Sequence, residues 1–198
     1  MSSTNSGLQL VLASTSRYRK DLLSRLGIAF GTAAPEVDET PLNGEHATHT
    51  ARRVALAKAQ AVRARFPNAL IIGSDQVAVC DGVHLDKPMT HAVAVQQLRH
   101  VSGRSVTFYS AVVLLNAGSG RIQSRLVPTT VKFRRLDDAE IERYLRREPA
   151  YDCAGSAKAE GLGISLVESI ESSDPTALIG LPLIALSSML REETLFVP

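Results

Sequence analysis

The sequence predicts an α/β protein with a mixed, twisted sheet and flanking helices. Short apolar runs alternate with stretches of helical periodicity, as in chains that build parallel strands connected by helices. Two longer apolar runs, at 106–115 and 121–133, are separated by turn-forming residues and indicate an antiparallel hairpin within that alternation. The 198 residues can bury a sizeable core, and no long polar linker divides them. We therefore expect a single domain.

The first part of the chain alternates strand and helix. Residues 8–13 are apolar and predict a buried strand, and small hydroxyl residues then precede a helix over 17–26. Residues 28–33 predict a second strand. Helical periodicity returns over 46–66, where Pro67 stops it. This order is typical of a βαβα unit.

The middle of the chain adds the longest apolar run, at 69–80, which predicts a buried strand. Asp81 and Gly82 then predict a tight hairpin turn into residues 83–85. A helix capped by Thr90 follows, and the hairpin comes after it.

The last part of the chain predicts two helices and a strand. A helix over 137–147 begins with acidic residues, which are favourable at the positive end of the helix dipole. A short helical segment over 154–160 and a strand over 163–170 follow. The apolar stretch at 181–190 predicts a final helix.

Composition argues against several classes of function. The formal net charge of +2 is too small for sequence-independent nucleic-acid binding. The two isolated cysteines predict neither a disulfide framework nor a zinc site. No apolar stretch approaches the roughly 20 residues that cross a bilayer, and residues 1–7 lack the pattern of a secretion signal. We expect a cytoplasmic protein without membrane or nucleic-acid partners, with a flexible tail at 1–7 and one domain at 8–198.

A phosphate site is one interpretation of residues 13–20. Ser14 and its neighbouring hydroxyl residues lie between a predicted strand and helix, where backbone N–H groups are free. Arg19 and other basic residues add positive charge on the first helical turn. A helix N-terminus of this kind binds phosphate. An ordinary helix cap before a solvated basic surface gives the same pattern, and the residues alone leave both interpretations open.

Carboxylates could supply a metal site. Asp75 lies inside the apolar stretch IIGSDQVAV, where an unpaired ionised acid is costly to bury. We therefore expect a metal ion or a lysine beside it. Glu36 lies on a proline-bounded acidic loop that also carries Asp38 and Glu39. Hard oxygen ligands of this kind bind divalent cations. A solvated loop and an internally satisfied aspartate are the alternatives.

Two lysines are further candidates. Lys58 is surrounded in sequence by alanines, which predicts a close approach of its helix to the sheet, and Lys87 lies in a turn before Pro88. Each lysine on its own is more typical of a protein surface than of a site. Other site types are not indicated. The chain has no GxGxxG or Walker glycine loop, no GxSxG serine turn and no paired metal-ligand spacing among its five histidines.

Short motifs occurring in a fixed order over residues 8–192 resemble the Maf family of nucleoside triphosphate pyrophosphatases. The motifs that carry the resemblance are Leu12-Ala13-Ser14-Thr15-Ser16, Ala34-Pro35-Glu36-Val37-Asp38-Glu39, Ala57-Lys58-Ala59, Gly73-Ser74-Asp75-Gln76-Val77, Asp86-Lys87-Pro88, Ala154-Gly155-Ser156-Ala157-Lys158 and Gly180-Leu181-Pro182. The chain departs from the family at Arg17, where proline is usual, and at Asp86, where glycine is usual. The resemblance implies an inosine-triphosphatase-like fold, a single two-lobed domain with an active-site cleft, and a homodimer.

The resemblance also implies a reaction and roles for the residues. A nucleoside triphosphate would be hydrolysed to the monophosphate and pyrophosphate with a divalent cation, Mg²⁺ or Mn²⁺. Asp75 would be the base that activates water for attack on the α-phosphorus, and Asp75 and Glu36 would hold the metal. The residues implied to bind the phosphates are Ser14, Arg19, Lys58 and Lys87.

Three positions resemble the branch of the family that acts on 7-methyl-GTP, namely Tyr18, Gln76 and Glu160, where the dTTP/UTP branch usually has Arg, Thr and Gln. The physical chemistry agrees with that branch. Methylation at N7 gives guanine a positive charge, which an aromatic ring attracts. The Glu160 carboxylate can accept hydrogen bonds from the N1–H and N2–H₂ edge of guanine, and the Gln76 amide can both donate and accept.

Two other functions remain open at this stage. The same chemistry could act on dTTP and UTP, or the protein could be a nucleotide-binding regulator of septum formation without useful catalysis. The preferred hypothesis is a 7-methyl-GTP pyrophosphatase that clears a modified nucleotide from the pool.

Overall fold

A computed structural model of the protein describes residues 8–195, so the tail predicted at 1–7 lies outside the described residues. That part of the chain forms one seven-stranded mixed sheet and five α-helices. The strands are β1 (Leu10–Ala13), β2 (Gly31–Ala33), β3 (Leu70–Cys80), β4 (Val83–His84), β5 (Ser105–Asn116), β6 (Ile122–Phe133) and β7 (Val167–Ser172). The helices are α1 (Arg17–Ser24), α2 (Ala47–Val62), α3 (His91–Val101), α4 (Asp138–Arg147) and α5 (Leu183–Glu192). The predicted α/β class with a mixed sheet is confirmed.

The chain divides into two compact units, and strands β3, β5 and β6 contribute residues to both. The described residues of the first unit are 8–76, 110–127 and 174–195, and the second comprises 77–109 and 128–173. In the first unit the strand order is β2-β1-β3-β5-β6, and β1 is parallel to both of its neighbours. In the second unit the order is β3-β5-β6-β7, with the short β4 antiparallel to β3 and β7 antiparallel to β6.

The first unit has a core of aliphatic side chains from the central strands and from helices α1 and α5. Buried members of this core are Leu10, Leu12, Leu22, Leu23, Leu70, Ile72, Val112, Leu114, Leu181, Leu186, Met189 and Leu190. Strand β3 is buried along residues 70–75, as its continuous apolar sequence predicts for a central strand. The core therefore fixes the strand on which Asp75 lies.

In the second unit helix α3 packs against α4 and against a 3₁₀ turn at Ala154–Ser156. Thr90 caps α3 as predicted, since its side chain accepts a hydrogen bond from the backbone N–H of Val93. Asp137 and Glu140 form a capping box at the start of α4. Within residues 8–195, no helix is long and apolar enough to cross a membrane.

Three of the predicted elements differ most from the observed ones in extent. Strand β2 has only the last three of the six predicted residues. The helical segment predicted over 154–160 ends at Ser156, because Gly155 and Ser156 have φ angles of 74° and 57° and cannot continue a right-handed helix. The strand predicted over 163–170 begins instead with a 3₁₀ turn at Leu162–Leu166, and β7 starts at Val167.

Candidate active site

The centre of the candidate site is a buried ion pair in the first unit. The Lys58 ammonium donates a hydrogen bond to Asp75 Oδ1 at 2.8 Å. Asp75 is 7% exposed and Lys58 is 3% exposed. A buried carboxylate next to a lysine is far less costly than one left alone. The expectation that Asp75 has a cationic partner is confirmed, and that partner is Lys58.

Gly73 explains how a helical lysine reaches a strand residue. A Cβ atom at Gly73 would collide with the carbonyl oxygen of Ala55 and would lie 2.9 Å from the backbone nitrogen of Ala59. Helix α2 therefore lies directly on the backbone of β3, with alanines on both sides of Lys58. The close helix–sheet approach predicted from these alanines is confirmed.

A second carboxylate shares the same ammonium. Lys58 Nζ donates to Glu39 Oε2 at 2.7 Å, so one cation bridges Asp75 and the acidic loop. Glu36, which the sequence favoured as the second acid, is exposed and has no hydrogen bond or ion pair to another described residue. The role of Glu36 as a metal ligand stays a prediction. Sequence reasoning placed Glu39 on the acidic loop without a role, and spacing alone does not indicate which acid turns towards Lys58.

The environment of Asp75 favours proton uptake. Burial raises the pKa of the Asp75 carboxyl above its ordinary value, and the nearby Glu39 carboxylate raises it further. The positive charges of Lys58 and Arg19 oppose this rise without cancelling it. An aspartate with a raised pKa is a stronger base than an ordinary aspartate once it is ionised.

Arg19 lies on the first turn of α1, and its Nε donates to the carbonyl oxygen of Gly180 at 2.9 Å. The Ser74 hydroxyl lies within hydrogen-bond distance of the same carbonyl, at 3.0 Å, and of the Ala111 carbonyl, at 2.8 Å. Gly180 has a φ angle of 116°, which only glycine adopts readily. The turn at Gly180 thus ties Arg19 to the strand that carries Asp75.

Ser14 is buried at the turn between β1 and α1. Its hydroxyl accepts a hydrogen bond from the backbone N–H of Ser16 at 3.1 Å, and Ser16 in turn caps the helix. The predicted strand-to-helix turn is present, with Ser14 and Arg19 at the start of α1. The positions suit an anion, because the first N–H groups of a helix have no partner within the helix.

The amide nitrogen of Gln76 is hydrogen-bonded to other residues of the protein. Nε2 lies 2.8 Å from the Ser110 hydroxyl and 2.9 and 3.0 Å from the carbonyl oxygens of Ala177 and Leu178. The donor side of the amide therefore holds the turn that leads to Gly180. Within residues 8–195, no hydrogen bond to the Gln76 oxygen is observed, so the acceptor side is the part available to a ligand.

Tyr18 is a half-buried ring that already attracts a cation. The guanidinium carbon of Arg17 lies 4.8 Å from the ring centroid, and the Tyr18 hydroxyl accepts a hydrogen bond from Arg17 at 2.8 Å. A cation over an aromatic face is stabilised by the ring quadrupole. The same property would let Tyr18 attract a methylated, positively charged guanine.

The second unit carries the two remaining candidates, Lys87 and Glu160. Lys87 is exposed in the connection between β4 and α3, and Glu160 is exposed in the segment that follows Ser156. Neither residue has a hydrogen bond or ion pair to any other residue in the described part of the chain. Asp86 beside Lys87 therefore leaves the lysine ammonium unpaired.

The carboxylates of the candidate site could supply only part of the coordination of a divalent cation. No group of three or more His, Cys, Asp or Glu side chains within residues 8–195 could surround a metal ion. Asp75 and Glu39 instead offer two carboxylates that already share one cation, the Lys58 ammonium. Mg²⁺ is commonly bound by one or two carboxylates, with water and phosphate oxygens completing its coordination.

An open mixed α/β sheet with a buried Lys–Asp pair and a strand-to-helix turn defines a protein suited to an anionic ligand. A family model described as Maf-like protein matches residues 9–193, so the chain belongs to that family. The resemblance found in the sequence motifs is confirmed.

Curated relatives match almost the whole chain. A 7-methyl-GTP pyrophosphatase of Aromatoleum aromaticum is 55% identical over 190 residues, which cover 96% of this chain and 98% of the relative. Proteins of the same name from Nitrosospira multiformis and Methylobacillus flagellatus are 55% and 54% identical, each over 93% of this chain. The chain is therefore similar to these enzymes over almost its whole length.

Proposed function

We propose that the protein is a nucleoside triphosphate pyrophosphatase that hydrolyses 7-methyl-GTP to 7-methyl-GMP and pyrophosphate, and so clears a modified nucleotide from the pool. The observation that carries this proposal is the buried Lys58–Asp75 pair with Glu39 on the same ammonium. Relatives named 7-methyl-GTP pyrophosphatase, 54–56% identical to this chain, support the choice of substrate.

In this mechanism Asp75 takes a proton from the water that attacks the α-phosphorus. The bond from the α-phosphorus to the bridging oxygen breaks, and that oxygen leaves with pyrophosphate. Lys58 keeps Asp75 ionised and ready to accept the proton, while burial keeps the carboxylate basic. Phosphoryl transfer needs positioning and charge neutralisation more than covalent help, and this site contains the groups for both.

The phosphates would be bound by Ser14, Arg19, Lys58 and Lys87. Ser14 and Arg19 support this role by their position at the start of α1, and Lys87 by its unpaired ammonium. Lys58 is already engaged by two carboxylates, so its contribution to phosphate requires the Glu39 contact to open or to be shared.

A divalent cation, Mg²⁺ or Mn²⁺, is part of the proposal. Asp75 would hold it together with Glu36, as the resemblance implies, and the position of Glu39 makes that residue a further candidate ligand. When bound, the ion supplies charge neutralisation on the phosphate oxygens. The oxygen donors suit either metal.

Selection of the base would rest on Tyr18, Gln76 and Glu160. The Tyr18 ring attracts the positive charge of the methylated purine, and the unpaired Glu160 carboxylate accepts hydrogen bonds from the guanine edge. The Gln76 oxygen is the acceptor that this amide can offer, because its nitrogen holds the turn at residues 177–178. A pyrimidine lacks both the charge and the adjacent donors.

The Asp75→Asn variant tests the catalytic role. We expect kcat to fall by about 10²–10⁴-fold, the usual contribution of a general base, with the Kd of the nucleotide changed only a few-fold. Pyrophosphate release measures kcat, and calorimetry measures binding. Asp81→Asn is the matched control, since Asp81 is an exposed aspartate directly after β3. Hydrolysis by Asp75→Asn within tenfold of the wild-type rate would exclude Asp75 as the base.

A homodimer and a cytoplasmic location complete the proposal. The family resemblance supports the dimer, and the composition of the chain supports the location. Sedimentation of the full chain would decide between monomer and dimer.

A further inference from the structure

The turn that carries Lys87, residues 85–89, is held at several points inside the second unit. The backbone N–H of Leu85 donates to the carbonyl oxygen of Ala78 at 2.9 Å, and that of Met89 donates to the carbonyl of Tyr151 at 3.0 Å. Between these points the carbonyl oxygen of Asp86 accepts a hydrogen bond from Gln97 Nε2 at 2.8 Å. Lys87 is thus an exposed cation on a restrained backbone.

Gln97 connects this turn to a second segment. Its Oε1 accepts a hydrogen bond of 2.6 Å from the Ser156 hydroxyl. Ser156 is completely buried and has a φ angle of 57°, a conformation that is unfavourable for serine and that the surrounding packing must hold. Ser156 belongs to the Ala154-Gly155-Ser156-Ala157-Lys158 motif, which has no role in the proposed mechanism.

The connection is a continuous chain of two hydrogen bonds, from Ser156 through the Gln97 amide to the backbone next to Lys87. The Gln97 amide can do both because its oxygen accepts from a hydroxyl and its nitrogen donates to a carbonyl. Glu160, which we propose to contact the base, lies four residues after Ser156. These two hydrogen bonds therefore connect the segment of Glu160, the proposed base-recognition residue, to the turn of Lys87, the proposed phosphate-binding residue.

We infer that Gln97 and Ser156 are positioning residues that set the Lys87 ammonium for the substrate's phosphates and couple its position to the segment of Glu160. This inference depends on the proposed function, because it takes Lys87 as a phosphate ligand. Neither Gln97 nor Ser156 needs to touch the substrate.

The test is a double-mutant cycle between Gln97→Met and Lys87→Ala, with inorganic tripolyphosphate as the ligand and its Kd measured by calorimetry. Methionine keeps the length of the side chain but removes both hydrogen bonds. We expect Gln97→Met to weaken tripolyphosphate binding by about three- to thirtyfold, the range for losing hydrogen bonds with a buried partner. In the Lys87→Ala background Gln97→Met should raise the Kd of tripolyphosphate less than about twofold, because the lysine that Gln97 positions is gone.

Three further variants separate positioning from general stability. Gln97→Glu keeps an acceptor for Ser156 but loses the donor to Asp86, so it should weaken binding as Gln97→Met does. Ser156→Ala should weaken it less, since the Gln97–Asp86 bond can persist. Gln96→Met is the matched control, because Gln96 is the exposed neighbour on the same helix, and it should leave the Kd unchanged. Thermal unfolding is measured for every variant.

Equal losses from Gln97→Met in both backgrounds, or no loss in either, would overturn the inference. If the inference fails in this way but the wild type still releases pyrophosphate from a nucleotide, the proposed function stands without the positioning role of Gln97 and Ser156. A wild-type protein that hydrolyses no nucleotide and does not bind tripolyphosphate would overturn both.

Discussion

The Lys58 ammonium lies between Asp75 and Glu39 and opposes the rise in the pKa of Asp75 that burial causes. A base must be ionised, so activity should fall as the pH falls through the raised pKa of Asp75. In Lys58→Met that opposing charge is lost and the pKa of Asp75 rises further. We expect the acid limb of the kcat/KM profile to move to higher pH and kcat/KM at its plateau to fall about ten- to a hundredfold, the value of a charge-assisted hydrogen bond.

The matched control for this variant is Lys132→Met. Lys132 makes an ion pair with Glu168 at 2.7 Å, the same distance as between Lys58 and Glu39. The side chains of Lys132 and Glu168 are both about half exposed. Exposed pairs contribute little, so the pH profile should remain that of the wild type. An unshifted acid limb in Lys58→Met would show that Asp75 is not the titrating base.

The contact between α2 and β3 is what brings Lys58 to Asp75, and Gly73 is the residue that permits it. In Gly73→Ala the new methyl group meets helix backbone rather than a flexible side chain, so the helix must move away from the strand. We expect destabilisation of about 1–3 kcal/mol, a fall in Tm of about 2–12 °C, and a lower kcat. Calorimetric unfolding and pyrophosphate release measure the two effects.

Gly31→Ala is the control for that substitution. Gly31 lies on β2 of the same sheet, its φ is not positive, and its nearest neighbour to a new Cβ is a glutamine side-chain nitrogen at 3.8 Å. It should leave Tm and kcat nearly unchanged. A stable, fully active Gly73→Ala protein would mean that the close approach of α2 is not needed to position Lys58.

For the molecule as a whole, the elements with strong periodicity were predictable and the irregular segments were not. The apolar run around Asp75 predicted β3, and the alanines around Lys58 predicted the helix contact that gives Asp75 its partner. Glu39 was not distinguishable from Glu36, because a loop without periodicity does not indicate which side chain turns inward. The prediction of a helix over 154–160 was wrong because the sequence does not indicate that Ser156 adopts a left-handed conformation. The Gln97–Ser156 bond joins residues 59 positions apart, a contact that only the tertiary fold creates.

The most direct test of the account is pyrophosphate release by the wild-type protein from 7-methyl-GTP, GTP, dTTP and UTP with Mg²⁺ and with Mn²⁺. Stacking of a cationic base on Tyr18 and charge-assisted hydrogen bonds to Glu160 should together favour 7-methyl-GTP over dTTP and UTP by about ten- to a thousandfold in kcat/KM. We expect 7-methyl-GTP to be hydrolysed fastest of the four nucleotides. Faster hydrolysis of dTTP or UTP would contradict the substrate, and no hydrolysis of any nucleotide would contradict the enzyme.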